Sequence, residues 1–230
     1  MKKKNKRFLY NAAMTLVCFA FLVCASTFLV LLIKPLYYMM VKLLEVPAET
    51  GYSFEICKTN YDILIDYNMF WGPKELVFRD FPMSIYGRIH FEEVKAIFVA
   101  MQYTAIVSFV LLIVGFIASK KNKCYGWLKA TVILAICVVA VVGAGFIIDW
   151  DGTFTLMHHI LFDNDYWIFD PALDPVIWIL PDKVFLAAGA GICILITAGL
   201  VACGVIYSRK TRRAKRGPKK DSAKKGGKKK

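Results

Sequence analysis

Charged side chains are missing from four long stretches of this chain: residues 8–33, 97–119, 130–148 and 184–207 hold no Asp, Glu, Lys or Arg. Each can cross a hydrocarbon layer of about 30 Å, which takes ~20 helical residues. With no ionisable group inside a span, a transport pathway through the bundle has nothing to run on. The glycine-rich phosphate loops of nucleotide-binding enzymes are also missing. Cysteine is present but badly placed for cross-linking. Cys18, Cys24, Cys137, Cys193 and Cys203 lie in the apolar stretches, Cys124 lies in a basic loop, and Cys57 stands by itself in the first acidic loop. A disulfide framework is therefore not expected. No small residue precedes Cys24, and residues 8–33 far exceed the ~7–15 apolar residues of a signal-peptide core. The first stretch reads as a retained anchor.

What is there sorts by sign. The N-terminus carries five bases, residues 120–129 carry four, and the segment after Tyr207 carries thirteen against one acid, Asp221. The two remaining loops together hold sixteen acids and eight bases. Lysine and arginine mark the cytoplasmic side, so four crossings with both termini in the cytoplasm satisfy every count. The expected fold class is an all-α membrane protein: four transmembrane helices and a mixed, mostly irregular extracytoplasmic cap built from two outer loops. Its divisions are the N-terminus with span one (1–33), outer loop one (34–96), span two (97–119), a cytoplasmic loop (120–129), span three (130–148), outer loop two (149–183), span four (184–207) and a basic tail (208–230). The tail is low in complexity and is expected to be disordered, either as a solvated topology signal or as an attractor of anionic lipid. No folded module beside it suggests nucleic acid as a partner.

Outer loop one is too long for a simple connector. Tyr37 to Met40 suit the interface, Asn60 suits an N-cap ahead of a face bearing Tyr61, Leu64 and Tyr67, and residues 75–78 suit a short strand. Ser84 stands where an N-cap belongs, ahead of a helix expected to run unbroken into span two. That continuity puts His90 ~10 Å above the apolar stretch. In outer loop two, acids alternate with large aromatics as in a compact cap, and Pro171, Pro175 and Pro181 bar a long helix there. All three histidines, His90, His158 and His159, fall in these two segments. Imidazole changes charge near neutral pH, so the grouping suits proton transfer.

The segments FPMSIYGRIHFEEVKAIF and HHILFDNDYWIFDPALDPVIWILPDKVF resemble the paired signatures of the bacterial lipoprotein intramolecular transacylase family. Ser84, His90, Glu93, Val94 and Lys95 carry the first; His158, Phe162, Asn164, Asp165, Trp167, Phe169, Asp170, Pro171, Asp174 and Pro181 carry the second. The resemblance implies a bacterial cytoplasmic-membrane enzyme whose site faces outward. It would move an acyl chain from the sn-2 oxygen of a diacylated lipoprotein to the N-terminal cysteine amine of the same molecule. It also implies catalysis by His90 and His158, with His159 at a variable position; Met157 departs from the aromatic residue usual there. Ester-to-amide transfer runs downhill, so no cofactor and no metal is expected, and the expected partners are the lipoprotein and membrane lipid, with the chain a monomer. Lys95, Asn164, Tyr166 and Trp167 are candidates to bind substrate or steady an oxyanion. Glu93, Asp165 and Asp170 are candidates to orient the imidazoles. Two other readings stay open: a metal-dependent ester hydrolase using His90, His158, His159, Asp165 and Asp170, and a non-enzymatic tetraspan adaptor or sensor.

Overall fold

Helices carry all four charge-free stretches in this computed structural model, which describes residues 2–216. They are α1 (Lys2–Leu32), α5 (Ile85–Asn122), α6 (Gly126–Ile148) and α8 (Asp182–Arg216). All four are long and apolar enough to cross a membrane. Helix α1 is central and packs along α5, α6 and α8, while α6 also packs along α8. The outward faces stay apolar: Val107, Val114, Val141, Ile147, Ile194 and Val201 are all exposed. Helices that are apolar all round yet bare on one side call for hydrocarbon as their solvent.

Between α1 and α5 the chain forms α2 (Lys34–Leu43), α3 (Val46–Thr50) and α4 (Phe54–Tyr67). Between α6 and α8 it forms α7 (Trp150–Leu161) and a 3₁₀ turn, Pro175–Ile179. These pieces gather at one end of the bundle around a core that includes Tyr37, Val41, Tyr67, Phe78, Phe81, Phe91, Val176 and Ile179. Residues from both loops share it, so the two loops fold as one cap.

Several local expectations need correcting. Residues 75–78 form no strand, and no strand occurs among the described residues. Asn60, for its part, is not an N-cap. Ser53 caps α4 by accepting Ile56 N–H, and Asn60 sits fully buried in mid-helix. Its Oδ1 accepts the N–H groups of Arg79 and Asp80 at 3.0 and 3.2 Å, and its Nδ2 donates to Asp80 Oδ2 at 2.7 Å. One amide side chain thus satisfies the backbone donors of Arg79 and Asp80 across 19 and 20 residues of sequence. Tyr37 is buried in the cap core instead of lying at an interface, with its hydroxyl donating to Ile179 O at 2.8 Å. The basic tail stays helical to Arg216; its remainder, from residue 217, lies outside the described residues.

Candidate active site

Ser84 begins the site. Its hydroxyl accepts Gly87 N–H at 2.9 Å, starting α5 with a side-chain cap. The same hydroxyl donates to Asp174 Oδ2 at 2.7 Å, and Ser84 N–H donates to Asp174 Oδ1 at 2.7 Å. Asp174, only 3% exposed, therefore bolts the second loop to the first turn of the helix that carries His90. Gly87 makes the approach possible, because a Cβ there would lie 2.3 Å from Asp174 Oδ1. Helix α5 then runs 38 residues without a break, about 57 Å at 1.5 Å per residue, which is far more than the ~30 Å of hydrocarbon. The surplus lies at its start, so His90, seven residues ahead of the apolar stretch, stands outside the spanning segment.

His158 arrives on α7, a helix the prolines do not reach. Asp149 starts it by accepting Gly152 N–H at 2.9 Å. His158 and His159 occupy its last turn, and the fold turns only the first of them inward. The His90 and His158 ring centroids are 6.2 Å apart with the planes inclined by 31°. Both rings are buried, whereas His159 is exposed, edge-on to Trp167, with its Nδ1 4.0 Å from Asp165. Phe162 and Phe169 flank His90 at 4.8 and 5.5 Å between centroids. Phe154 and Trp167 flank His158 at 4.1 and 4.6 Å.

The surroundings fix protonation. His158 Nδ1 lies 2.8 Å from Phe154 O. A carbonyl only accepts, so Nδ1 holds the proton and the neutral ring keeps its Nε2 lone pair free. Burial pushes the His158 imidazole below its ordinary value; the Phe154 carbonyl resists this and the nearby His159 adds to it. Burial holds His90 lower still, at about 4, with His158 beside it as a lesser cause. His90 Nδ1 is buried without a partner. The site thus presents two imidazoles that are neutral near pH 7, buried in a box of aromatic rings.

Glu93, one turn after His90, accepts Asn164 Nδ2 at 2.9 Å through Oε1, while its Oε2 is buried and unpartnered. Asn164 Oδ1 accepts Tyr166 N–H at 3.1 Å, and its carbonyl accepts Trp167 Nε1 at 3.1 Å. Tyr166 stacks on Tyr86 at 4.7 Å. Asn164, Tyr166 and Trp167 therefore belong to the wall of the site. Lys95 does not: five residues on, ~140° around the helix from His90, its ammonium lies 4.1 Å from the Tyr67 ring and donates to Pro73 O. The expected orienting acids also need correcting. Glu93 bonds Asn164, Asp165 approaches only His159, and Asp170 accepts Ala172 N–H at 2.9 Å in a turn. The group that orients His158 is the Phe154 carbonyl. His90, His158, His159, Asp165 and Asp170 do not converge, and no cluster of three or more metal-binding side chains occurs among the described residues.

A comparison with curated proteins finds no match. Among solved structures, the membrane-integral lipoprotein intramolecular transacylase Lit of Bacillus cereus matches with a TM-score of 0.88 and 29% identity, over 93% of this chain and 100% of that one. Two structures of the same protein, with a histidine replaced by arginine or by alanine, match with a TM-score of 0.83 and 29% identity. They cover 94% of this chain, and 96% and 98% of theirs. The family model described as lipoprotein intramolecular transacylase Lit matches residues 12–185. With most of its length matched in this way and its fold that of a membrane-integral relative, the chain belongs to the lipoprotein intramolecular transacylase family and is a multi-pass membrane enzyme acting on lipoproteins.

Proposed function

We propose that the His90–His158 pair transfers the sn-2 acyl chain of a diacylated lipoprotein to the α-amino group of its own N-terminal cysteine. The observation that supports this is two buried imidazoles, from separate loops, 6.2 Å apart with one tautomer fixed. The lipoprotein amine starts as an ammonium, with a pKa near 8. Its first proton leaves to solvent. The nitrogen then attacks the ester carbonyl; a C–N bond forms and a second N–H proton passes to His158 Nε2. The C–O bond to the glycerol breaks, and that proton crosses the pair to the departing oxygen. Both rings end neutral, as they began.

No acyl-enzyme is needed, because nucleophile and ester belong to one molecule. Holding them face to face lowers the barrier by as much as ~7–11 kcal/mol. Glu93 Oε2, buried and free on the same face as His90, suits the incoming ammonium, while Asn164 keeps the carboxylate in place. The charge distribution of the loops supports a site on the outer face with both termini cytoplasmic. Mass spectrometry of a reporter lipoprotein's N-terminal peptide tests the reading. His90→Ala and His158→Ala each abolish the lyso form, and His159→Ala has a milder effect. Full activity in His90→Ala would end the mechanism.

A further inference from the structure

At the end of the bundle opposite the histidines, α1, α5, α6 and α8 converge on an open cavity of about 540 Å³. Arg7, Lys120, Lys123 and Lys210 line it, with no carboxylate in the lining among the described residues. The cations come from α1, α5, α8 and the α5–α6 turn, each close to the point where an apolar stretch stops. Among the described residues no Asp or Glu occurs in 2–44, 94–148 or 183–216, the segments that form this end of the bundle. Their only close partners among the described residues are rings. Lys120 and Lys210 lie 5.4 and 5.8 Å from Phe116, and Lys210 lies 5.9 Å from Tyr125.

Hydrogen bonds tie the helices together beside the cavity, through Asn11 of its lining and neighbours behind it. Asn11 Oδ1 accepts Trp127 N–H at 3.0 Å, Tyr10 donates to Gly115 O at 2.5 Å and bonds Ser119 Oγ at 2.7 Å, and Trp127 Nε1 donates to Ser119 Oγ at 3.0 Å. The helices joined in this way are α1, α5 and α6.

We infer that this cavity binds the phosphate of an anionic glycerophospholipid. Four converging cations with no carboxylate beside them among the described residues suit an external anion. Their level, where the spans end, is where lipid phosphates lie. One residue further into the span from Arg7, Phe8 is 71% exposed and offers an apolar flank to the acyl chains. A free phosphate would satisfy the rim but leave that flank bare, so the lipid is the better occupant. The site is independent of the histidine chemistry.

Native mass spectrometry of the full chain in detergent tests this, with phosphatidylglycerol, phosphatidylcholine and inorganic phosphate as probes. Phosphatidylglycerol is retained in preference to phosphatidylcholine. The triple variant Lys120→Gln, Lys123→Gln, Lys210→Gln weakens that retention about tenfold or more. The control Lys219→Gln, Lys220→Gln, Lys224→Gln leaves it unchanged. Equal retention of the two lipids, wild-type retention by the first triple variant, or equal loss in the control overturns the inference. Displacement of the lipid by millimolar inorganic phosphate overturns the lipid in favour of the free ion. Should the first triple variant not fold, a photoactivatable phosphatidylglycerol decides on the wild-type chain. Cross-links within residues 120–127 or 207–211 support the site, and cross-links only elsewhere refute it.

Discussion

Replacing Asp174 by alanine should damage catalysis from a position that never meets the substrate. Its two oxygens each take a hydrogen bond of 2.7 Å from Ser84, one from the backbone N–H and one from the hydroxyl. Hydrogen bonds to a carboxylate contribute about 1.5–3 kcal/mol each. Losing both strands a Ser84 N–H, so Asp174→Ala costs about 3–5 kcal/mol. In a chain of this size that corresponds to a melting shift of roughly 6–20 °C. Asp174→Asn keeps one acceptor oxygen but cannot accept from the hydroxyl through its NH₂, and costs about half as much. The bolt also sets the start of α5, and His90 follows Ser84 by six residues. A misplacement of ~1 Å at a reacting group costs about a hundredfold in rate. The assay is melting in detergent, together with lyso-form production measured well below the melting temperature. Wild-type melting refutes the bolt. A large melting shift with wild-type turnover refutes its role in placing His90.

The pH profile is a second test. Both imidazoles must be neutral to accept a proton, and both are held below 6.5, His90 at about 4. Activity therefore falls with the substrate amine below its pKa near 8, and the extra histidine-dependent break comes only below 6.5; a second break in kcat/KM between the amine's pKa and 6.5 contradicts the burial. The same sign governs stability. The unfolded chain binds histidine protons first, so the contribution of the neutral buried rings is full above 6.5 and shrinks as pH falls toward 4, which acid melting curves will read. For Glu93, the glutamine variant keeps an oxygen for Asn164 and loses the carboxylate. KM for a reporter lipoprotein should rise about tenfold with a smaller change in kcat, and an unchanged KM removes Glu93 from ammonium binding.

The four-helix architecture was legible because a span announces itself by what it excludes, and charge is cheap to read. Ser84 was legible for a related reason: a cap is a local bond, three residues long. His90 and His158 emerged from scarcity, as two of only three histidines, both at one depth. Asn60 was not legible, since an asparagine that caps and one that staples a distant segment look alike until the fold brings Arg79 beneath it. The Phe154 carbonyl was invisible because a backbone acceptor has no residue signature, and acids were the natural suspects in its place. Helix α7 did have a signal, Asp149 ahead of Trp150, Asp151 and Gly152, outweighed by the prolines further on. Asp174 appeared in the family resemblance without a role; its partner lies 90 residues away.

Helix α5 carries His90 near its first turn and Lys120 near its last, with no proline between them. A single stiff shaft ~45 Å long thus fixes the catalytic ring's height relative to the opposite bilayer surface. Lipid tails of different length cannot be accommodated by a hinge in that shaft. Tilting of the whole bundle must absorb the mismatch, which raises or lowers the histidine against the ester it serves.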